Sequence, residues 1–324
     1  MRHQKRTIVR VAALSAALAL AATACGSDSG GGAATSQNSA VDLSGASFTV
    51  GSKEFTEQLI LGQITIQLLQ NAGADVKDET GITGTTNVRK ALTSSEIDMY
   101  WDYTGTGWAE LLGNEISKAP DDEQALFDAV AKQDLSENNI KWFALTSAND
   151  TYAIATSKET SDSLGVASLS DLAGLASSSP DDASICVASE FLDRSDGLPG
   201  LEKAYGFTFP SDGLTEVDLG IVFTQVPKGD PCKFGEVFAT DGRIPANDMV
   251  VLDDDKNFFV KYDLALTINN DVYTKYQQQL DDLFTPVAEA LTTEELQALN
   301  AQFDVDVLPE DQVAQKWLGD NGFI

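Results

Sequence analysis

The sequence predicts an α/β protein of two domains, each a mostly parallel sheet flanked by helices, and three observations carry that expectation. Between residues 47 and 103, short alternating runs and helix-period runs follow one another as β-α-β-α-β, the order that builds a parallel sheet with helices on its faces. A second alternation of the same kind runs from Thr151 to Asp241. The chain then returns through Tyr262-Asp263-Leu264-Ala265-Leu266-Thr267, followed by a helical C-terminal part that packs on the first domain. A chain of 324 residues, 43% hydrophobic and 22% charged, is long enough for two cores of ordinary size.

The first residues read as an export signal. Arg2, Lys5, Arg6 and Arg10 precede the apolar run Val11 to Ala22, which is short for a membrane span, and Ala22-Thr23-Ala24 precede Cys25 as small residues precede a cleavage site. Cys25 has the look of a lipobox cysteine, the residue that carries lipid in bacterial lipoproteins, with Ala22 where Leu is usual. Residues 1 to 24 are therefore expected to be removed and 25 to 45 to form a Gly/Ser/Ala-rich tether. Removal takes four basic residues and no acidic ones, so the charge falls from 21 minus 50, or -29, to 17 minus 50, or -33. Such acidity argues against nucleic acid and anionic lipid as partners and suits a cationic visitor. His3, the one histidine, lies in the removed segment, which excludes histidine triads, histidine bases and histidine metal ligands from the mature chain. No metal or cofactor is expected. Cys186 and Cys232 remain; in an exported chain an even pair predicts a disulfide, with two buried thiols or a two-ligand metal site as alternatives.

In chain order, Ser47-Phe48-Thr49-Val50 is a strand, and Phe55, Leu59, Ile60, Ile64, Leu68 and Leu69 recur at helical spacing before Gly73. Ser52, Lys53 and Thr56 sit at that strand-to-helix junction, where a hydroxyl caps the helix or free N–H groups hold an anion. A strand near Asp75 to Asp78 and a helix near Asn87 to Thr93 lead to Asp98-Met99-Tyr100-Trp101-Asp102-Tyr103-Thr104-Gly105-Thr106-Gly107-Trp108. Four aromatic rings and two carboxylates in eleven residues suit a poorly hydrated cation, with core packing as the competing account; the glycines would let backbone approach a ligand. A helix near Glu123 to Gln133 and a strand at Trp142 to Leu145 precede the polar break Ser147 to Asp150, read as the first crossing between domains. Beyond it come a helix capped by Ser170, strands at Ser184 to Ala188 and Val237 to Thr240, a helix ending at Tyr205, and a return through Val250-Val251-Leu252. Thr292-Thr293-Glu294-Glu295 forms a capping box, and Pro309 opens the last helix.

Five motifs in this order, Gly51-Ser52-Lys53-Glu54-Phe55-Thr56-Glu57-Gln58, Tyr103-Thr104-Gly105-Thr106-Gly107-Trp108, Asp150-Thr151-Tyr152-Ala153, Glu190 to Gly197 and Thr240-Asp241-Gly242-Arg243-Ile244, resemble those of the osmoprotectant-binding proteins of ABC importers. The resemblance spans residues 46 to 324. It implies a two-lobe, type II periplasmic-binding-protein-like fold, with 46–149 and 262–324 forming one lobe and 150–261 the other. It also implies capture of glycine betaine, choline, carnitine or a similar quaternary amine, and transfer to a permease driven by an ATPase. The protein would act as a monomer outside the membrane, held by its lipid. Carried over by position, the resemblance makes Lys53, Thr106 and Arg194 candidates for a ligand carboxylate and Tyr103, Tyr152, Phe238, Tyr262 and Phe127 candidates for an aromatic cage. Phe238 and Phe127 stand where relatives commonly carry Tyr, and Asp150 where Asn is common. On the ring-face argument alone, Tyr103→Phe should cost a ligand much less than Tyr103→Ala. Three other readings are a sensor of the same fold, a binding protein for a larger betaine such as ergothioneine, and a hydrolase using Asp98 and Asp102.

Overall fold

The computed structural model describes residues 41–324. The expected export signal, Cys25 and most of the tether lie outside the described residues. Ten strands form two five-stranded sheets. The first contains β1 (Ser47–Lys53), β2 (Asp75–Ile82), β3 (Met99–Tyr103), β4 (Ile140–Phe143) and, far along the chain, β10 (Leu264–Asn269), in the order β2-β1-β3-β10-β4. The second contains β5 (Tyr152–Ser157), β6 (Ile185–Val187), β7 (Leu214–Glu216), β8 (Phe234–Phe238) and β9 (Met249–Val251), in the order β7-β6-β8-β5-β9.

The sheets are mixed rather than mostly parallel. β1 runs parallel to β2 and β3, and β6 parallel to β7 and β8, as βαβ units require. β10 is antiparallel to both its neighbours, as is β5 to its own. These two strands lie just past the crossings, so each enters its sheet from the end that faces the other lobe. The crossing segments are tied together: Asn149 and Asp263 form an antiparallel bridge, and the Asp150 N–H donates to the Tyr262 carbonyl at 3.1 Å.

Local chemistry sets the helices. The Thr56–Asn71 helix buries Ile60, Leu61, Ile64, Leu68 and Leu69 against the first sheet and stops before Gly73, whose φ of +91° suits glycine. The Glu123–Asn138 helix begins where the Asp122 carboxylate accepts the Ala125 N–H and ends at Asn139 in the left-handed region. In the second lobe the cap of the Leu169–Ser178 helix is Ser168, not Ser170; Ser168 and Asp171 form a capping box, while the Ser170 hydroxyl donates to Asp255. Thr292 caps the Thr293–Asp304 helix through the Glu295 N–H, and Pro309 precedes the Glu310–Asp320 helix. The 21-residue Asn270–Ala290 helix closes the first core with Leu280, Leu283, Phe284 and Val287. Cys186 and Cys232 form the expected disulfide, with Cα atoms 5.5 Å apart, stapling β6 to the segment that leads into β8. Among the described residues no helix is long and apolar enough to cross a membrane.

Candidate functional site

The β1 end, the β3 end and the crossings meet at the cleft between the lobes. Lys53, Tyr103, Thr106, Tyr152, Arg194, Phe238 and Tyr262, seven of the eight residues singled out from the sequence, line one small cavity there. Phe55, Thr85, Asp150 and Glu190 complete it. The space open to a water-sized sphere is about 20 Å³, room for roughly one water, so the cleft must part to admit any organic ligand.

The aromatic wall is continuous. Tyr152 lies 5.2 Å from Phe238 and 5.5 Å from Tyr262, and Phe55 lies 5.1 Å from Phe238 and 6.4 Å from Tyr103, all between ring centroids. Phe127 stands apart: on the Glu123–Asn138 helix it is half-buried against the second core cluster of Leu126, Val130 and Trp142, and it does not line the cavity. Of the aromatics on β3 and its turn, only Tyr103 reaches the cavity. Trp101 is core against Phe284 with its indole N–H on Thr65, and Tyr100 is buried on the opposite face. The glycines of that turn make room for protein rather than ligand. A Cβ on Gly105 would come within 2.8 Å of the Tyr262 ring, and one on Gly107 within 2.7 Å of Val130, so Gly105 makes room for the Tyr262 ring from the other crossing.

The cations at the cavity are fixed by carboxylates. Lys53 Nζ lies 2.9 Å from Asp102 Oδ1 and 5.0 Å from the Tyr103 ring centre. Arg194 makes a two-pronged contact with Asp196, Nε at 2.8 Å and Nη2 at 2.5 Å, and its Nη2 sits 3.5 Å from Thr106 Oγ1. Tyr262 donates its hydroxyl to the same Asp196 at 2.6 Å. Burial alone would raise the Asp196 carboxyl, but Arg194 and Tyr262 hold it below the ordinary carboxylate range. Lys53 and Arg194 are thus cations held in place by carboxylates, with the Thr106 hydroxyl accepting from Arg194, an arrangement able to pair with a carboxylate. Glu190 reaches across the cleft from the second lobe to accept from the Thr85 N–H at 2.7 Å.

Other expectations change. Neither Ser52 nor Thr56 caps the Thr56–Asn71 helix: the Ser52 hydroxyl donates to the Lys53 carbonyl and accepts from the Gly81 N–H, and Thr56 donates to Asp304. Asp98 and Asp102 stand at opposite ends of β3, Asp98 accepting from the Thr49 N–H and Asp102 holding Lys53, Tyr100 and the Tyr103 N–H. They form no catalytic pair. A wider concavity of about 1000 Å³ lies between residues 113–121 and 257–261, but no aromatic cage or cluster of fixed donors converges on it.

Residues 46–320 match the family described as the substrate binding domain of ABC-type glycine betaine transport systems. The chain belongs to this family. Its members are substrate-binding proteins, not enzymes, which disposes of the hydrolase reading. A glycine-betaine-binding protein of Pseudomonas aeruginosa is 34% identical over 274 residues, covering 83% of this chain and 86% of the relative. An ergothioneine transport permease/ergothioneine binding protein, EgtU of Helicobacter pylori, is also 34% identical over 257 residues, 79% of this chain but 44% of that longer protein. The solved structure of apo YehZ from Escherichia coli superposes with a TM-score of 0.63 at 30% identity, covering 86% of this chain and 99% of that one.

Sequence reasoning missed four residues that line the cavity, Phe55, Thr85, Asp150 and Glu190, and the contact between Glu57 and Thr240. Phe55 opens the helical spacing of the sequence, yet it precedes the helix and lines the cavity. Glu57 and Thr240, in hydrogen-bond contact at 2.6 Å, are 183 residues apart, with no local signal joining them. Both do lie inside motifs quoted for the resemblance.

Proposed function

We propose that the protein captures a quaternary ammonium compound, such as glycine betaine, choline or carnitine, in the cleft between its lobes and delivers it to an ABC permease. The observation that carries the reading is the convergence of Phe55, Tyr103, Tyr152, Phe238 and Tyr262, drawn from both lobes and a crossing, on a cavity that also holds Lys53, Thr106 and Arg194. Ring faces attract a desolvated ammonium by roughly 0.5 to 2 kcal/mol each, so several rings supply much of a micromolar affinity. A carboxylate at the other end of the ligand would meet Lys53, Thr106 and Arg194. Cage members from both lobes make binding and hinge closure one event. Lipidation at Cys25 would hold the protein, as a monomer, at the outer face of the membrane near its permease.

Calorimetric titration with glycine betaine, choline, carnitine and ergothioneine tests this reading. Ergothioneine belongs in the panel because EgtU is as similar in sequence as the glycine-betaine-binding relative. Binding of at least one with micromolar or tighter affinity is expected; binding of none would overturn the reading.

A further inference from the structure

We infer that closing the cleft takes up one proton, held between Glu57 and Asp150 through the Thr240 hydroxyl, so that ligand capture is linked to pH. The inference rests on the proposed function only for the ligand that drives closure. Its geometric basis is a count of hydrogens. Thr240 Oγ1 lies 2.6 Å from Glu57 Oε2 and 2.5 Å from Asp150 Oδ1, both hydrogen-bond distances, yet a hydroxyl has one proton to donate. Two carboxylates cannot both accept from it. One of them must itself be an acid that donates to Oγ1.

The surroundings decide which. Glu57 also accepts from the Tyr103 hydroxyl at 2.8 Å and from Asn300 Nδ2 at 3.2 Å, so its charge is well supported. Among the described residues the Asp150 carboxyl meets only Thr240, through its hydroxyl and its more distant N–H at 3.3 Å. The relay therefore runs from the Asp150 acid to the Thr240 hydroxyl to the Glu57 carboxylate. Burial raises both carboxyls, and Glu57 raises Asp150 further.

Among the described residues no cation pairs with either carboxyl: Arg194, which lines the same cavity as Asp150, is engaged by Asp196. From the loop after β8, Asp241 faces both carboxyls and repels them, while Arg243 is engaged by Asp241 at 2.6 Å and by Asp304 of the Thr293–Asp304 helix at 3.5 Å. On the β3 side, Lys53 is engaged by Asp102. Glu57 belongs to the first lobe, Thr240 to the second and Asp150 to a crossing, so the triad is complete only when the lobes meet. When they part, both carboxyls regain water and ionise in the ordinary range, releasing the proton. Tyr103 connects the relay to the cage, since the ring that lines the cavity carries the hydroxyl bonded to Glu57.

The test is calorimetric titration of choline and of glycine betaine at pH 5.5, 6.5 and 7.5, each in two buffers of different ionisation enthalpy, for the wild type, Asp150→Asn and Glu57→Gln. Asn at 150 donates permanently to Thr240 without titrating. The wild type should take up about one proton per ligand and bind about tenfold more weakly per pH unit gained, since one proton links the two equilibria. Both variants should exchange no proton and show a flat affinity. No proton uptake by the wild type, or an unchanged slope in Asp150→Asn, would overturn the inference. Should neither ligand bind, carnitine and ergothioneine decide the functional reading separately, and small-angle scattering of the ligand-free protein decides the proton. Compaction on acidification in the wild type but not in Asp150→Asn supports the inference, and equal behaviour overturns it.

Discussion

Replacing Tyr103 by Phe separates a cage ring from its anchor. The ring would stay where cation–π attraction needs it, so the ring-face argument predicts little loss. The structure predicts otherwise. The Tyr103 hydroxyl donates to Glu57 Oε1 at 2.8 Å and accepts from Gln58 Nε2 at 3.0 Å, and all three side chains are buried. Phe would leave two buried polar atoms without a partner, at about 1 to 3 kcal/mol for an unsatisfied group. With the cleft open, water reaches Glu57 and relieves part of that cost, so the penalty falls mainly on the closed, ligand-holding form. Choline affinity should therefore drop by roughly tenfold in Tyr103→Phe. Tyr103→Ala loses the ring as well, worth roughly 1 to 2 kcal/mol more. Titration calorimetry measures both variants, with thermal unfolding of the ligand-free protein as the control for stability. Wild-type affinity in Tyr103→Phe would refute the assignment of the hydroxyl to closure and restore the simpler ring-only account.

Arg194→Ala should lower thermal stability as well as binding, because it strands the buried Asp196; losing one partner of a buried pair costs about 3 to 5 kcal/mol, and Arg194→Ala combined with Asp196→Asn should recover part of the melting temperature. Choline and betaine should then both suffer in Arg194→Ala, betaine more. Reduction of the Cys186–Cys232 disulfide, 46 residues apart, should cost about 4 kcal/mol by the chain-entropy model, read from urea midpoints with and without reductant. Asp263 is buried with neither carboxylate oxygen hydrogen-bonded among the described residues, and burial, then Glu123, raises it to about 7. Its folded value lies above the unfolded one, so its stabilising contribution is complete below about pH 4 and is lost as pH rises through about 7. Asp263→Asn should remove that part of the pH dependence, measured as melting temperature against pH, and a wild-type-like profile would contradict it.

How far the sequence could be read depended on whether the signal was local. The alternation of strands and helices and the helix ends at Gly73 and Pro309 rest on signals within a few residues, the disulfide rests on the count of two remaining cysteines, and the structure bears all of them out. The orientation of β5 and β10 was not legible, because it depends on where a crossing strand enters a sheet. At β3 the composition suggested a cage, but the strand lies inside its sheet between β1 and β10 and is covered on both faces. Period-two alternation then sends Tyr100 to one core and Trp101 to the other, leaving Tyr103 at the cavity. Phe127 lies in none of the five motifs, and on its helix it packs against the second core cluster rather than lining the cavity. The Glu57–Thr240–Asp150 triad draws its members from three distant segments, so only the packed lobes reveal it.

On the proposed function, a positive charge rather than apolar shape is what the rings between the lobes hold. Choline and its neutral isostere 3,3-dimethyl-1-butanol have the same outline and differ in the charge of the head, so titrating both into the protein isolates that term. Binding of choline with micromolar affinity and a loss of at least about tenfold for the neutral alcohol are predicted. Equal affinity for the two would contradict the account.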